Sequence, residues 1–278
     1  MKTTATPVAL LVLLVHLLGA ASCAAPARAS QPIPGGHAVL LELFTSQGCS
    51  ACPAADALVR ELPALGLGRD RVVPLTFHVD YWDELGWKDP FATPAFTARQ
   101  ERYGRSARLR SPDGDGRPAG LYTPQMVLDG RVHFSGARRA LALAELRRAA
   151  SAPVPGDLSV ALEAEARADG GKVAVTVRAT PRGGPAPAGA WKVRVALAQR
   201  QARTPVLRGE NAGTALEEAA IVRVLSEPLP LPPPGQSLAV SLARPADLSP
   251  AAAEVAVFVQ SETTLEVAAV VSAPVAPR

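Results

Sequence analysis

The run His37-Ala-Val-Leu-Leu-Glu-Leu-Phe-Thr-Ser-Gln-Gly-Cys-Ser-Ala-Cys-Pro53 decides how the first half of the chain folds. His37 to Phe44 is short and nearly continuously apolar, the pattern of a strand covered on both faces. Glu42 is its only interior acid. Thr45 to Gly48 turns the chain, and a helix is expected from about Ala51, because Leu58, Leu62 and Leu65 recur on one helical face. Pro53 falls in the first turn, where its missing N–H costs little. Val72 to Val79 reads as a second strand, reached by a crossover long enough to lay it parallel to the first.

Working outward, Thr93-Pro94 opens a helix to Arg105 as cap and first helical residue. Ser111 to Gly120 is a loop. Gln125–Leu128, the turn Asp129-Gly130 and Arg131–Ser135 form a hairpin, and Ala137–Ala150 closes the half as a helix. The order is β-α-β-α-β-β-α. Ser151 to Gly156 is a Pro/Gly break, and beyond it the texture changes to period-two alternation. Leu158–Ala166, Lys172–Ala179, Trp191–Ala198, Ile221–Ser226, Ser237–Ala243, Glu254–Gln260 and Leu265–Ser272 read as strands, which fits an antiparallel β-sandwich.

The 278 residues are 48% apolar, 19% charged and 4% aromatic, with 22 Gly and 27 Pro, which excludes collagen, coiled coil and wholesale disorder. Residues 1–29 read as a signal peptide: Lys2, an apolar stretch from Val8 to Leu18, and a small-x-small site at Ala27-Arg28-Ala29. No run is long enough for a transmembrane span. An exported, periplasmic or secreted protein is expected. Cys23 is a candidate for a lipid anchor but lacks the usual Leu three positions earlier, and reads as a signal residue. Without residues 1–29 the halves carry 15 bases to 13 acids and 12 to 12, so nucleic acid is not an expected partner. Arg99, Arg102, Arg105, Arg108 and Arg110 read as a solvated helix face.

The two cysteines left after cleavage, Cys49 and Cys52, are three residues apart and staple almost nothing, so their spacing points to chemistry. They sit where a strand hands over to a helix, at the strand's carboxyl end. A thiolate at Cys49 would be stabilised by free N–H groups and the positive helix end. Cys52, one turn inside, would resolve the mixed disulfide. Thr123-Pro124, just before the hairpin, is expected to be cis.

These elements in this order resemble the thioredoxin superfamily over roughly residues 37–150. The resemblance implies Cys49 as nucleophile, Cys52 as resolving cysteine and Pro124 as the cis-proline opposite them. A closer resemblance is carried by Glu42 to Pro53, His78-Val-Asp-Tyr-Trp-Asp-Glu-Leu-Gly-Trp-Lys-Asp-Pro-Phe91, Tyr122-Thr-Pro-Gln-Met-Val-Leu-Asp-Gly130 and Arg208-Gly-Glu-Asn-Ala-Gly213. These look like the bacterial exported family called domain of unknown function 1223. Together they imply an α/β thioredoxin-like domain at 35–150, with an insert at 80–122, a linker at 151–156 and a β-sandwich domain at 157–275.

Within that frame Glu42 is a candidate proton acceptor for Cys52, or a structural acid bonded to nearby backbone. Residues 81–122 hold seven of the twelve aromatics, of which Trp82 and Tyr122, with Thr123, are the candidates for contacting substrate. Gly209 to Gly213 reads as a tight interdomain or strand-edge turn, with a ligand contact as the alternative. The expected function is thiol–disulfide exchange with a disulfide-containing or thiol protein, or a small thiol, with no cofactor. Zinc or copper handling by the two thiolates, joined by His78 or His133, is one alternative. A non-catalytic binding module is the other.

Overall fold

The computed structural model describes residues 38–112, 120–152, 160–181 and 190–277, with Met1. The signal segment, Cys23, most of the 111–120 loop and most of the 151–156 break lie outside them. The first half contains β1 (Val39–Thr45), α1 (Pro53–Glu61), β2 (Val72–His78), α2 (Pro94–Gly104), β3 (Gln125–Leu128), β4 (Val132–Ser135) and α3 (Arg139–Ser151). β1 and β2 are parallel, and β3 and β4 are an antiparallel hairpin. Thr93 caps α2, its hydroxyl accepting from the N–H of Phe96, with Pro94 next in the first turn. The second half contains β5 (Val160–Asp169), β6 (Lys172–Pro181), β7 (Trp191–Pro205), β8 (Ala215–Leu225), β9 (Leu229–Pro230), β10 (Ser237–Ala243), β11 (Ala253–Ser261) and β12 (Val267–Ala276).

The assembly overturns the expected fold class. Instead of an α/β thioredoxin-like domain followed by a β-sandwich, the twelve strands join one large mixed sheet with three α-helices. Its path runs β10-β6-β5-β12-β11-β7-β8-β2-β1-β3-β4, with β9 against β7. Two strands change partners to make this possible. β12 pairs with β11 for most of its length and then, at Val275 and Ala276, with β5. β8 pairs with β7 and also meets β2 in parallel at Thr76 and Ile221, so the edge of the first half is covered by the second. Alternation along each strand predicts which face is buried, and carries no information about which neighbour it meets.

β1 divides two cores. Val39, Leu41 and Leu43 pack with Leu58 and Leu62 of α1 and Leu146 of α3. Leu40 and Phe44 face the other way, onto Phe77, Phe96 and Tyr103, and onto Phe258 and Val270 from the second half. Glu42 shares that second face. Its carboxylate accepts from Arg99 Nε at 2.5 Å, Arg99 Nη2 at 2.9 Å and the Tyr103 hydroxyl at 2.5 Å. Arg99 also donates to Gln260 Oε1 at 3.1 Å, and Gln260 Nε2 donates to Tyr103 at 2.8 Å.

Arg99 is therefore no solvated helix face: it is 6% exposed and pairs with Glu42. Burial alone would lower its pKa, but the adjacent carboxylate outweighs that and holds the guanidinium charged. Burial and the same carboxylate push the Tyr103 phenol up. Replacing Arg99 with Met leaves the buried Glu42 without its cationic partner, and is expected to lower the unfolding free energy by about 3–5 kcal/mol. Urea unfolding of R99M checks this, and a loss below about 1 kcal/mol would contradict it.

Candidate functional site

β1 delivers the chain to a turn in which the N–H of Cys49 donates to the carbonyl of Ser46 at 3.1 Å and the N–H of Cys52 to the carbonyl of Cys49 at 3.2 Å. Cys52 is the N-cap of α1, without a side-chain cap bond, and Pro53 follows in the first turn. Cys49 and Cys52 form a disulfide with their Cα atoms 5.4 Å apart. Both are buried, at 1% and 0% exposure, while Ser50 and Ala51 between them are exposed.

The cover comes from the second half. β7 and β8 extend well past the boundaries read from sequence, and the loop at their tip, 206–214, reaches the cysteine turn. Asn211 Nδ2 donates to the carbonyls of Gln47 at 2.9 Å and Cys49 at 3.0 Å. The N–H of Ser50 donates to Glu210 Oε2 at 3.0 Å, and the Ser50 side chain first, with this backbone bond, lowers the Glu210 pKa. Gly209, at φ +77°, approaches Trp87 so closely that an added Cβ would lie 3.1 Å from the Trp87 Cβ. Only glycine meets both conditions.

Trp82 forms the side wall. Its Cβ would lie 3.2 Å from a Cβ on Gly48, and its indole N–H donates to Thr123 Oγ1 at 2.9 Å. The Thr123–Pro124 peptide is cis. Trp82, Thr123 and Pro124 are thus linked to the cysteine turn. Tyr122 is turned elsewhere, its hydroxyl 3.0 Å from His133 Nδ1. Glu42 lies on the β1 face opposite α1, and its pairing with Arg99 and Tyr103 removes it from Cys52.

What lies beneath the cysteines is a different set of acids. His78 Nδ1 is 2.7 Å from Asp89 Oδ2, and His78 Nε2 is 3.6 Å from Glu218 Oε1. Gln47 ties them together: its N–H donates to Asp89 at 2.8 Å, its Nε2 to Glu218 at 2.6 Å, and its Oε1 accepts from Trp87 at 3.1 Å. Thr45 Oγ1 donates to Asp56 Oδ2 at 3.3 Å. Asp56 stands one helical turn after Cys52, so the two share a face of α1. Asp56 Oδ1, His78 Nε2 and Glu218 Oε1 are all buried without a hydrogen bond.

Three carboxylates and one imidazole cannot all be ionised there. Burial alone would depress the His78 pKa, but Asp89, Glu218 and Asp56 outweigh it and push it up to about 9. Burial would raise Asp89, and the imidazolium holds it low instead. Burial, with Glu218 beside it, drives Asp56 well above the usual carboxylate range, and burial also raises Glu218. The cluster therefore favours an ion pair, His78–Asp89, while burial shifts Asp56 and Glu218 toward their protonated forms. Among the described residues no three His, Cys, Asp or Glu side chains are gathered as a metal site.

Sequence reasoning gave no role to Gln47, Asp56, Asp89 and Glu218, and placed Glu210 and Asn211 only in a polar turn. A signal existed for two of them. Asp56 interrupts the buried face of α1 beside Ala55 and Leu58, and Glu218 takes an inward position of β8 between Leu216 and Ala220.

Residues 40–260 match the family described as "Protein of unknown function (DUF1223)". The chain belongs to this family. The matched stretch includes the cysteines, the buried acids and the covering loop. No curated protein matches the chain. Among solved structures, a protein of Agrobacterium tumefaciens is 28% identical, with 89% of this chain and 96% of that one covered at a TM-score of 0.58. HBP35 of Porphyromonas gingivalis, at 11% identity, covers 86% of this chain and 76% of that one at 0.59, a likeness of fold alone. No helix among the described residues is long and apolar enough to cross a membrane.

The raised His78 pKa sets a stability window. Its contribution is complete below about pH 6.5 and is lost as pH rises through about 9, amounting to on the order of 3 kcal/mol. Deprotonation of Asp56 works in the same direction, because the folded form binds its proton more tightly than the unfolded one. Unfolding free energy should fall between pH 6.5 and 9.5, and His78→Gln should flatten the fall. Denaturant titrations across that range measure it, and a wild-type curve that is level there would contradict the assignment.

Proposed function

We propose that the protein is an exported thiol–disulfide oxidoreductase whose Cys49–Cys52 pair exchanges with protein or small-molecule thiols. The observation that carries this reading is the placement of the pair at the β1–α1 junction, with Asp56 one turn along the same buried face. A partner thiolate attacks Cys49 Sγ. A new disulfide forms between partner and Cys49, the Cys49–Cys52 bond breaks, and Cys52 leaves with the electron pair. Asp56, whose burial favours its protonated form, supplies a proton to the Cys52 thiolate. A second thiolate of the partner then attacks its own sulfur in the mixed disulfide, so the partner is oxidised and Cys49 is released reduced. The reverse sequence reduces a partner disulfide and re-forms the Cys49–Cys52 bond, and Asp56 then accepts the Cys52 proton.

In this reading the site is kin to those of the thioredoxin superfamily, with Trp82, Thr123 and Pro124 as the wall beside the sulfurs. Export to an oxidising compartment, periplasmic or extracellular, accords with the signal-like residues 1–29 and with a formed disulfide in a chain of this kind.

Because Cys49 is 1% exposed, attack requires the 206–214 loop to move. Asn211→Ala removes both of its bonds to the cysteine turn and is expected to speed reduction by dithiothreitol about tenfold, roughly the effect of 1.4 kcal/mol. Equilibration against graded glutathione buffers, with the thiols counted by alkylation and mass spectrometry, should show a reversible two-electron transition, and Cys52→Ser should trap glutathione on Cys49. A pair that stays oxidised at every poise, together with no trapped adduct, would make the disulfide a staple and sink the proposal.

In the same titration, repeated from pH 5 to 9, Asp56→Asn should remove an inflection from the midpoint-against-pH curve. A purely structural role for Asp56 would shift stability and leave the shape of that curve unchanged.

A further inference from the structure

β2 and β8 are paired only at Thr76 and Ile221. Toward Val72 no ladder joins them, and the space left between α1, β2 and β8 is a cleft of about 440 Å³. That lies within the roughly 300–1,000 Å³ of small-molecule sites. Its floor is apolar, from Val59, Leu67 and Val72, all 3% exposed or less. Its remaining wall carries three cations from three different elements: Arg60 on α1, Arg69 on the connection to β2, and Arg200 on β7.

No acidic side chain lines this cleft. Two carboxylates stand nearby, and each is already engaged. Glu217 pairs with Arg60 at 2.9 Å, where both are substantially exposed, and buried Glu254 bonds to Arg69. Arg200 shares the charge of Glu254 with Arg69 without a direct ion pair among the described residues, and donates to the carbonyl of Ala251. Three guanidinium groups against two acids leave an excess of positive charge over an apolar floor. Its effect is felt at Arg69, where burial first, and the neighbouring Arg200 as well, lower the pKa against the pull of Glu254.

A second observation falls at the same place. Ala220, which also lines the cleft, has φ +56°, a left-handed backbone that an L-alanine adopts at a cost. In the β7–β8 ladder Gln199 faces Ile221 and Gln201 faces Ala219, so this residue stands opposite Arg200. Backbone strain is concentrated at the point where the cleft meets its most weakly paired cation.

We infer that this cleft binds a small amphipathic anion, its carboxylate or sulfonate held by Arg60, Arg69 and Arg200 and its short apolar body lying on Val59, Leu67 and Val72. Charge complementarity selects the head group, since a cation would face three arginines with no free acid, and a neutral polar molecule would leave the guanidinium excess unanswered. The inference is independent of the thiol chemistry, because the cleft lies at the opposite end of α1 from Cys52.

Octanoate is the probe, with octylammonium as its charge-reversed counterpart, titrated calorimetrically into the purified protein. Octanoate should bind saturably at one site and octylammonium at least about tenfold more weakly. The double variant Arg60→Gln/Arg200→Gln should lose octanoate affinity by at least about tenfold while keeping its melting temperature and its cysteine redox midpoint. Arg69 is left in place so that Glu254 keeps its partner. No saturation by roughly 10 mM octanoate would overturn the inference, since even a weak site for a ligand of this size should fill by then. Equal binding of octylammonium, or unchanged affinity in the double variant, would overturn it as well.

Discussion

A single buried carboxylate on β8 ties the second half of the chain to the chemistry of the first. Glu218 is fully buried, accepts from Gln47 at 2.6 Å and faces His78, which is itself bound to Asp89. Gln47 stands two residues before Cys49, so the backbone of the cysteine turn is positioned by a side chain from β8. The β-sheet bond between the halves is thin, one residue pair long, with Thr76 Oγ1 donating to the Ala219 carbonyl beside it. Buried polar groups that leave their partners cost several times what an exposed contact is worth, so the specificity of the junction comes from Glu218 and its network more than from the ladder.

The opposite face of β1 repeats the arrangement with other residues. Glu42 is a first-half acid whose neutralising Arg99 is oriented in turn by Gln260 of β11. On each face, then, a charged or polar group in one half is satisfied only when the other half is docked. Hydrophobic contact alone would tolerate small slips of one half against the other. These networks do not, because each shift would strand an ion in a core of Phe, Leu and Val.

That mutual dependence explains what could be read from the sequence and what could not. The strand Val39–Thr45, the helix after Pro53, the Thr93 cap and the Asp129-Gly130 hairpin are local, and hydrophobic spacing with turn chemistry was enough to place them. So was the Cys49/Cys52 pair. The partner of a strand is not local. β8 alternates in the same way whether it closes a separate sandwich or lies beside β2, and only the acid at its inward position 218 hinted that something polar awaited it. Glu42 could be recognised as an anomaly in an apolar strand, but its partner is 57 residues away and looked like one of five arginines on a helix surface. The outer part of β7 escaped notice because, past Ala198, it is largely solvent-facing and lacks a buried side to alternate against, while the outer part of β8 places the acid Glu218 on its buried side.

The covering loop follows from the same geometry. An arm of two paired strands carried beyond the sheet must rest on something, and Asn211 rests on the carbonyls of Gln47 and Cys49, while Glu210 receives the N–H of Ser50. These three bonds are made to the backbone of the very turn whose closure depends on the disulfide. Opening the disulfide frees that turn to change shape, and any change moves the groups to which the arm is tied. Conversely, a displaced arm withdraws the strand that presents Glu218 to Gln47 and His78. One element, β8, thus carries both contacts to the cysteine turn, with the cover at one end and the buried carboxylate a few residues along.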